Sequence, residues 1–152
     1  FMLDDTDRRL LRLLQAEPTL TNAELADAAN LSASKVFRRI EKMQAQGLIL
    51  GKEVVIDWSV LGYEVEVSLR VTLDKTQPRA FDDFIAAARE VPEILEIQTF
   101  LGRVDVRLSV IARDMAAYQQ VYRNRVLTLP HIADIEALMH LARIKSNEAL
   151  PL

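Results

Sequence analysis

The hydrophobic period of this chain changes once, and that change limits most of what it can become. Tyr63, Val65, Val67, Leu69, Val71 and Leu73 alternate with Glu64, Glu66, Ser68, Arg70, Thr72 and Asp74. Successive side chains of a strand point to opposite faces. Six apolar positions in strict alternation therefore predict an antiparallel strand with one face in a core and the other open. Nearer the start of the chain the apolar spacing is helical instead. Leu10, Leu13 and Leu14 share one stripe, Leu25, Ala26 and Ala29 another, and Val36, Ile40 and Met43 recur at i, i+4 and i+7. A chain of 152 residues has room for two small folding units, and the two periods assign one to each half.

The helical half carries its own start and stop signals. Asp4 can cap the first helix, with Asp7 three residues on, and Pro18 ends it. Thr21 or Asn22 caps a second, short helix through Ala29, and Asn30 suits a left-handed turn because its side chain tolerates positive φ. Ser32 caps a third helix that runs to Gln46 and stops at Gly47. On that helix Lys35, Arg38, Arg39 and Lys42 form a cationic face centred about 120° from the apolar one. Residues 30–52 hold five basic side chains against Glu41 alone, whereas residues 57–152 hold eleven basic and fourteen acidic ones, within a net charge of −3. A basic patch confined to one segment of an acidic chain suits a polyanionic partner; on charge alone, a solvated helix face is the other reading. Leu48–Ile56 reads as a strand or wing.

In the second half, Pro78 precedes a helix with Phe81, Phe84, Ile85 and Ala88 on its core face, and Pro92 breaks it. Ile94–Leu101 and Val104–Ile111 are two strands around Gly102-Arg103. Asp114 caps a further helix carrying Tyr118, Val121 and Tyr122, Pro130 ends it, and Ile132–Ile144 is a last strand. The order β-α-β-β-α-β is the ferredoxin-like arrangement of an α+β protein. Both helices on one face leave the other uncovered, and homo-oligomerisation is its simplest cover. The expected divisions are 3–56, a linker at 57–62, 63–145, and a tail at 146–152. Trp58 and Tyr63 are expected to anchor the linker against a sheet, His131 to be exposed at a turn, and His140 to be a paired structural residue on the last strand.

The absence of cysteine excludes disulfides, thiolate zinc sites and cysteine nucleophiles, and fits a cytoplasmic protein. No apolar run approaches the roughly 20 residues that span a bilayer, and no signal-peptide pattern opens the chain. Two histidines and scattered acids give no metal-ligand spacing and no ordered Ser-His-Asp set, so neither metal nor cofactor is expected.

Two runs of sequence resemble one family. The first is LDDTDRRLLRLLQ, then TNAELADAANLSASKVFRRIEKMQAQGLI. The second is the ferredoxin-like stretch through Ala142-Arg143-Ile144-Lys145-Ser146 to Ala149-Leu150-Pro151-Leu152. Together, from Leu3 onward, they resemble the leucine-responsive and asparagine-responsive regulators, the Lrp/AsnC family. The resemblance implies a helix-turn-helix over residues 22–41 with a recognition helix at Ser32–Gln46, placed in the major groove of double-stranded DNA. Lys35, Arg38, Arg39 and Lys42 are then candidates for guanine edges and phosphates, and Asn22, Ser32 and Ser34 join the DNA-facing set. It also implies a C-terminal domain of the kind that regulates amino-acid metabolism. Such domains form dimers through their sheets, often assembled into tetramers or octamers, bind an amino-acid effector between subunits, and have no enzymatic activity.

Leu101-Gly102-Arg103-Val104-Asp105 occupies the effector loop of that pattern. The usual form is Thr/Ser-Gly-Asp-Tyr/Phe-Asp, so Gly102 and Asp105 match while Leu101, Arg103 and Val104 depart. Backbone N–H groups beside a glycine can cradle a carboxylate, and an acid can meet an ammonium group. The other reading is that Gly102 allows a tight hairpin, which does not exclude a ligand role, and that Asp105 sits on the polar side of the sheet. Ala137 and Leu138 stand where relatives often carry Thr or Ser, which suggests a less polar or weakly responsive pocket. Two rival readings remain: an effector-independent DNA-organising protein of the same fold, and an enzyme or metabolic sensor whose N-terminal helices dock protein.

Overall fold

The computed structural model describes residues 2–146 and 149–152. Contacts divide the chain into two units, residues 1–55 with 145–152, and residues 56–144.

The first unit is three helices, α1 (Asp5–Ala16), α2 (Asn22–Ala29) and α3 (Ala33–Ala45). Each starts on a side-chain cap. Asp4 and Asp7 form a reciprocal capping box on α1, Thr21 and Glu24 form another on α2, and the Ser32 hydroxyl accepts the Lys35 N–H on α3. Asn30 ends α2 at φ 56°, the left-handed conformation that its short polar side chain tolerates. This turn sets the angle at which α3 leaves α2. Leu10, Leu25, Val36 and Met43 are fully buried where the helices meet, with Ile40 and Leu14 packed beside them. Leu150 and Leu152 of the expected tail reach this core. Leu152 packs on the same cluster, the Arg12 guanidinium donates to its carbonyl at 2.9 Å, and the Gln15 amide clasps the Leu150 backbone.

Residues 48–56 do not form the expected wing strand. Leu50, Val54 and Val55 stand almost fully exposed, with no neighbouring strand to pair their backbone among the described residues. Trp58–Leu61 is a single 3₁₀ turn, and Trp58 is 40% exposed. Tyr63 lies beneath the Arg113 guanidinium, 4.7 Å from its ring centre.

The second unit is a four-stranded antiparallel sheet in the order β2-β3-β1-β4, from β1 (Val65–Leu73), β2 (Ile94–Thr99), β3 (Val106–Ala112) and β4 (Ile132–Met139). Helices α4 (Ala80–Arg89) and α5 (Met115–Val121), the latter prolonged by a π turn through Val126, supply the other layer. Val67, Leu69, Val71 and Leu73 on β1 meet Val106, Leu108 and Val110 on β3, Phe84 and Ala88 on α4, and Tyr118 on α5. Three strands are bounded more tightly than the spacing predicts. β2 stops at Thr99 and β3 starts at Val106, so residues 100–105 are a loop, and β4 ends before His140. Phe81, expected in the core, is exposed because Ala80 takes the inward position one residue earlier. His131 is half-buried at φ 66°, with Nε2 2.9 Å from the Asp83 carboxylate. His140 donates its N–H to the Glu66 carbonyl, and its ring lies 3.7 Å from the Glu66 carboxylate.

Phe84 is the largest fully buried side chain. Phe84→Ala is expected to lower unfolding free energy by about 3–5 kcal/mol in urea titration, the range for emptying a packed aromatic site. A loss below about 1 kcal/mol would show that the helix layer carries little of this core.

Candidate nucleic-acid interface and effector loop

The capped turn before α3 fixes which side of that helix meets solvent. Val36 and Met43 are buried and Ile40 is half-buried, so the opposite arc is open. Lys35, Arg38 and Lys42 lie on it, exposed and with no ion pair among the described residues. Ser32 and Ser34 stand at the N-terminal end of α3 with their hydroxyls 3.5 Å apart, and Asn22 opens α2 in an exposed position. These six residues belong to one compact unit at a helix start, where N–H, hydroxyl and cationic groups can donate to phosphate oxygens and base edges.

Arg39, the seventh member of the expected set, is held elsewhere. Its guanidinium bonds the carboxylates of Asp4 and Asp7, the latter at 3.0 Å, and its side chain is only 27% exposed. The same two acids build the capping box of α1, so Arg39 ties α3 to the start of α1. Hydrogen bonding to Arg39 and to the Asp7 backbone N–H holds the Asp4 carboxyl below the usual range. The sequence contained the two acids and the arginine, but no local spacing relates residues 35 positions apart.

In the second unit, Leu101, Gly102 and Val104 line an open cleft of about 310 Å³ together with Phe100, Arg70 and Arg107. Gly102 has φ 156° and open space where a Cβ would stand, so backbone conformation rather than crowding favours glycine there. Arg103 is exposed, and its carbonyl accepts the Thr72 hydroxyl at 3.2 Å. Asp105 does not line the cleft. It is 3% exposed, with one carboxylate oxygen accepting the Leu73 N–H at 2.8 Å and the Lys75 ammonium at 2.7 Å. Its own N–H donates to the Val71 carbonyl. Burial pushes this carboxyl's pKa up, but the bonds from Lys75 and Leu73 outweigh it and the net displacement is downward. The sequence reading did not find Arg70 and Arg107. Both occupy polar positions of alternating strands, and only the strand register brings them together.

Residues 3–49 match a winged helix-turn-helix DNA-binding domain, and residues 66–150 match the Lrp/AsnC ligand binding domain. With the cationic arc of α3, this defines a DNA-binding transcription regulator. The chain belongs to the Lrp/AsnC family. It is 28% identical over 151 residues to the DNA-binding transcriptional activator DecR of Escherichia coli, covering 99% of both chains. It is 35% identical over 132 residues to the proline dehydrogenase transcriptional activator of Rhodobacter capsulatus, covering 87% of this chain and 86% of that one. Among solved structures, a transcriptional regulator of Neisseria meningitidis in complex with L-methionine superposes with a TM-score of 0.91 at 27% identity, covering 99% of this chain and 97% of that one.

Two stability experiments follow from these contacts. Because the Asp4 carboxyl is depressed in the folded state, its stabilisation is present above the unfolded pKa and is lost as pH falls through the folded one. Arg39→Ala is therefore expected to lower the melting temperature at neutral pH, with the gap closing in acid; equal melting at neutral pH would free Arg39 for another role. Asp105→Asn is expected to cost about 1–3 kcal/mol in denaturant titration at neutral pH, from a weakened buried bond to Leu73 and a lost ion pair. That gap should also narrow as pH falls through the lowered carboxyl pKa.

Proposed function

We propose that the chain binds specific DNA sequences as a homodimer or a multiple of it, reading the major groove with Lys35, Arg38 and Lys42 while Asn22, Ser32 and Ser34 hold phosphates. The observation that carries this reading is the cationic arc on α3, without an ion pair among the described residues, opposite a buried aliphatic edge and behind a capped turn. A helix of this kind fits the major groove, where arginine can pair bidentately with guanine. Two such helices in a symmetric dimer call for an operator with two-fold pseudo-symmetry. Arg39 contributes through the position of α3 rather than through direct contact.

The C-terminal unit senses an amino acid or related small molecule through the loop at residues 101–104. The open cleft beside that loop supports this reading, as does the L-methionine bound to the Neisseria relative. The effector shifts assembly or the disposition of the DNA-binding units to the extent that its affinity differs between the two states. The protein acts in the cytoplasm and is a regulator rather than an enzyme. No helix among the described residues is long and apolar enough to cross a membrane, and the relatives named above are transcriptional activators.

Genomic fragments selected for binding provide the test. Arg38→Ala is expected to weaken binding to a selected fragment by about 1–3 kcal/mol in fluorescence anisotropy. The slope of affinity against salt should also become shallower. Unchanged affinity would remove Arg38 from the interface, and salt-insensitive binding would overturn the assignment of the α3 arc. Operator affinity that stays equal with and without every amino acid tried would favour an effector-independent DNA-organising role.

A further inference from the structure

The open arc of α3 carries a side chain that a surface built only for phosphates does not need. Phe37 is 53% exposed and stands outside the side chains packed on the helical core. Ser34, Phe37, Arg38 and Glu41 recur at i, i+3, i+4 and i+7, so they form one stripe of the helix, and all four are exposed. Phe37 also lines a cleft of about 300 Å³ whose wall includes Glu41 and, from the start of α2, Asn22. A phosphate offers nothing to a phenyl ring. It also repels the Glu41 carboxylate, which has no ion pair among the described residues. Base edges suit both: in the major groove the C5 methyl of thymine is apolar, and the N4 amine of cytosine donates to a carboxylate. A second copy of this chain is a poor cover for the stripe. A symmetric contact at Phe37 would bring two sets of Lys35, Arg38 and Lys42 together, and like charges oppose that.

We infer that Phe37 is a specificity-determining residue that reads thymine, packing its ring on the C5 methyl group beside the base met by Arg38. That methyl is the apolar group the major groove presents, and in unmodified DNA only pairs containing thymine carry it. Phe37 and Arg38 leave the helix axis about 100° apart, so they reach neighbouring bases rather than the same one. The division of labour is chemical. Arg38 supplies donors for a guanine edge, the ring supplies dispersion and water exclusion at a methyl, and Asn22 holds the backbone alongside. Burying one such carbon against a ring corresponds to about fourfold in affinity. This inference rests on the reading of the α3 arc as the groove-facing surface.

A fragment selected from genomic DNA supplies the operator. Fluorescence anisotropy with the full chain then compares it with copies in which each thymine in turn is replaced by deoxyuridine. That exchange removes the methyl group and leaves every donor and acceptor of the base pair in place. At least one uridine in each half-site is expected to weaken binding about fourfold. Phe37→Ala should weaken binding to the thymine operator about tenfold and abolish the uridine effect at that position. Phe37→Leu, which keeps an apolar side chain, should retain part of it. Melting curves identify a variant that has lost its fold, and the uridine scan of the unaltered chain then decides the matter alone. No sensitive thymine, or the same sensitivity in Phe37→Ala, would overturn this inference; weakened binding by Arg38→Ala in the same assay would leave the α3 reading standing. Phe37→Ala that binds DNA like the parent but sediments differently would place Phe37 in a protein contact and overturn it too. Unchanged affinity in both Arg38→Ala and Phe37→Ala would overturn the inference and the α3 reading together.

Discussion

β1 is hydrogen-bonded along both edges and buried on one face, and the placement of residues 56–144 follows from that double commitment. A strand paired on both sides cannot shift by one residue without moving its whole apolar set to the wrong face. Val67, Leu69 and Val71 therefore lock β3, β4 and both helices into register at once. The same lock directs Ser68, Arg70 and Thr72 to the side that no helix covers, so the inward alternation also decides what the open face offers.

On that open face, the loop between β2 and β3 has two different anchors. At one end Asp105 is driven inward, where its carboxylate bonds the backbone of β1 and its N–H returns to Val71. At the other, Phe100 donates its N–H to the Asp105 carbonyl. A clamped base leaves Leu101 to Val104 to project as a short rim beside the two register-paired arginines. The acid that the family pattern offers to a ligand is here part of the scaffold. The physical cause is that a carboxylate accepting a buried backbone N–H and a lysine gains more from those bonds than it loses in desolvation.

The helical unit shows a similar division between scaffold and surface. Four cations on α3 are equivalent by spacing, yet Arg39 reaches the carboxylates that cap α1 while Lys35, Arg38 and Lys42 have no ion pair among the described residues. The resulting network joins a helix cap, an ion pair and the placement of α3, so the cation that does not point outward helps hold the other three where they do.

Much of this was legible in the residues themselves. Caps at Asp4, Thr21 and Ser32, the left-handed Asn30, the period change at Tyr63 and the βαββαβ order rest on local rules of backbone hydrogen bonding and side-chain periodicity, which act within a few residues. Spacing alone also exposed the cationic arc of α3. What escaped the sequence was pairing over distance. No local pattern links Arg39 to Asp4, sets Arg70 against Arg107, or turns Asp105 inward to Lys75. The expected wing at 48–56 failed for a related reason: a strand needs a neighbour, and apolar composition cannot supply one. The sequence thus determined which elements form and which residues they present, whereas strand register and helix packing, set by burial across the whole unit, decided which of those residues are used internally and which are left to meet a partner.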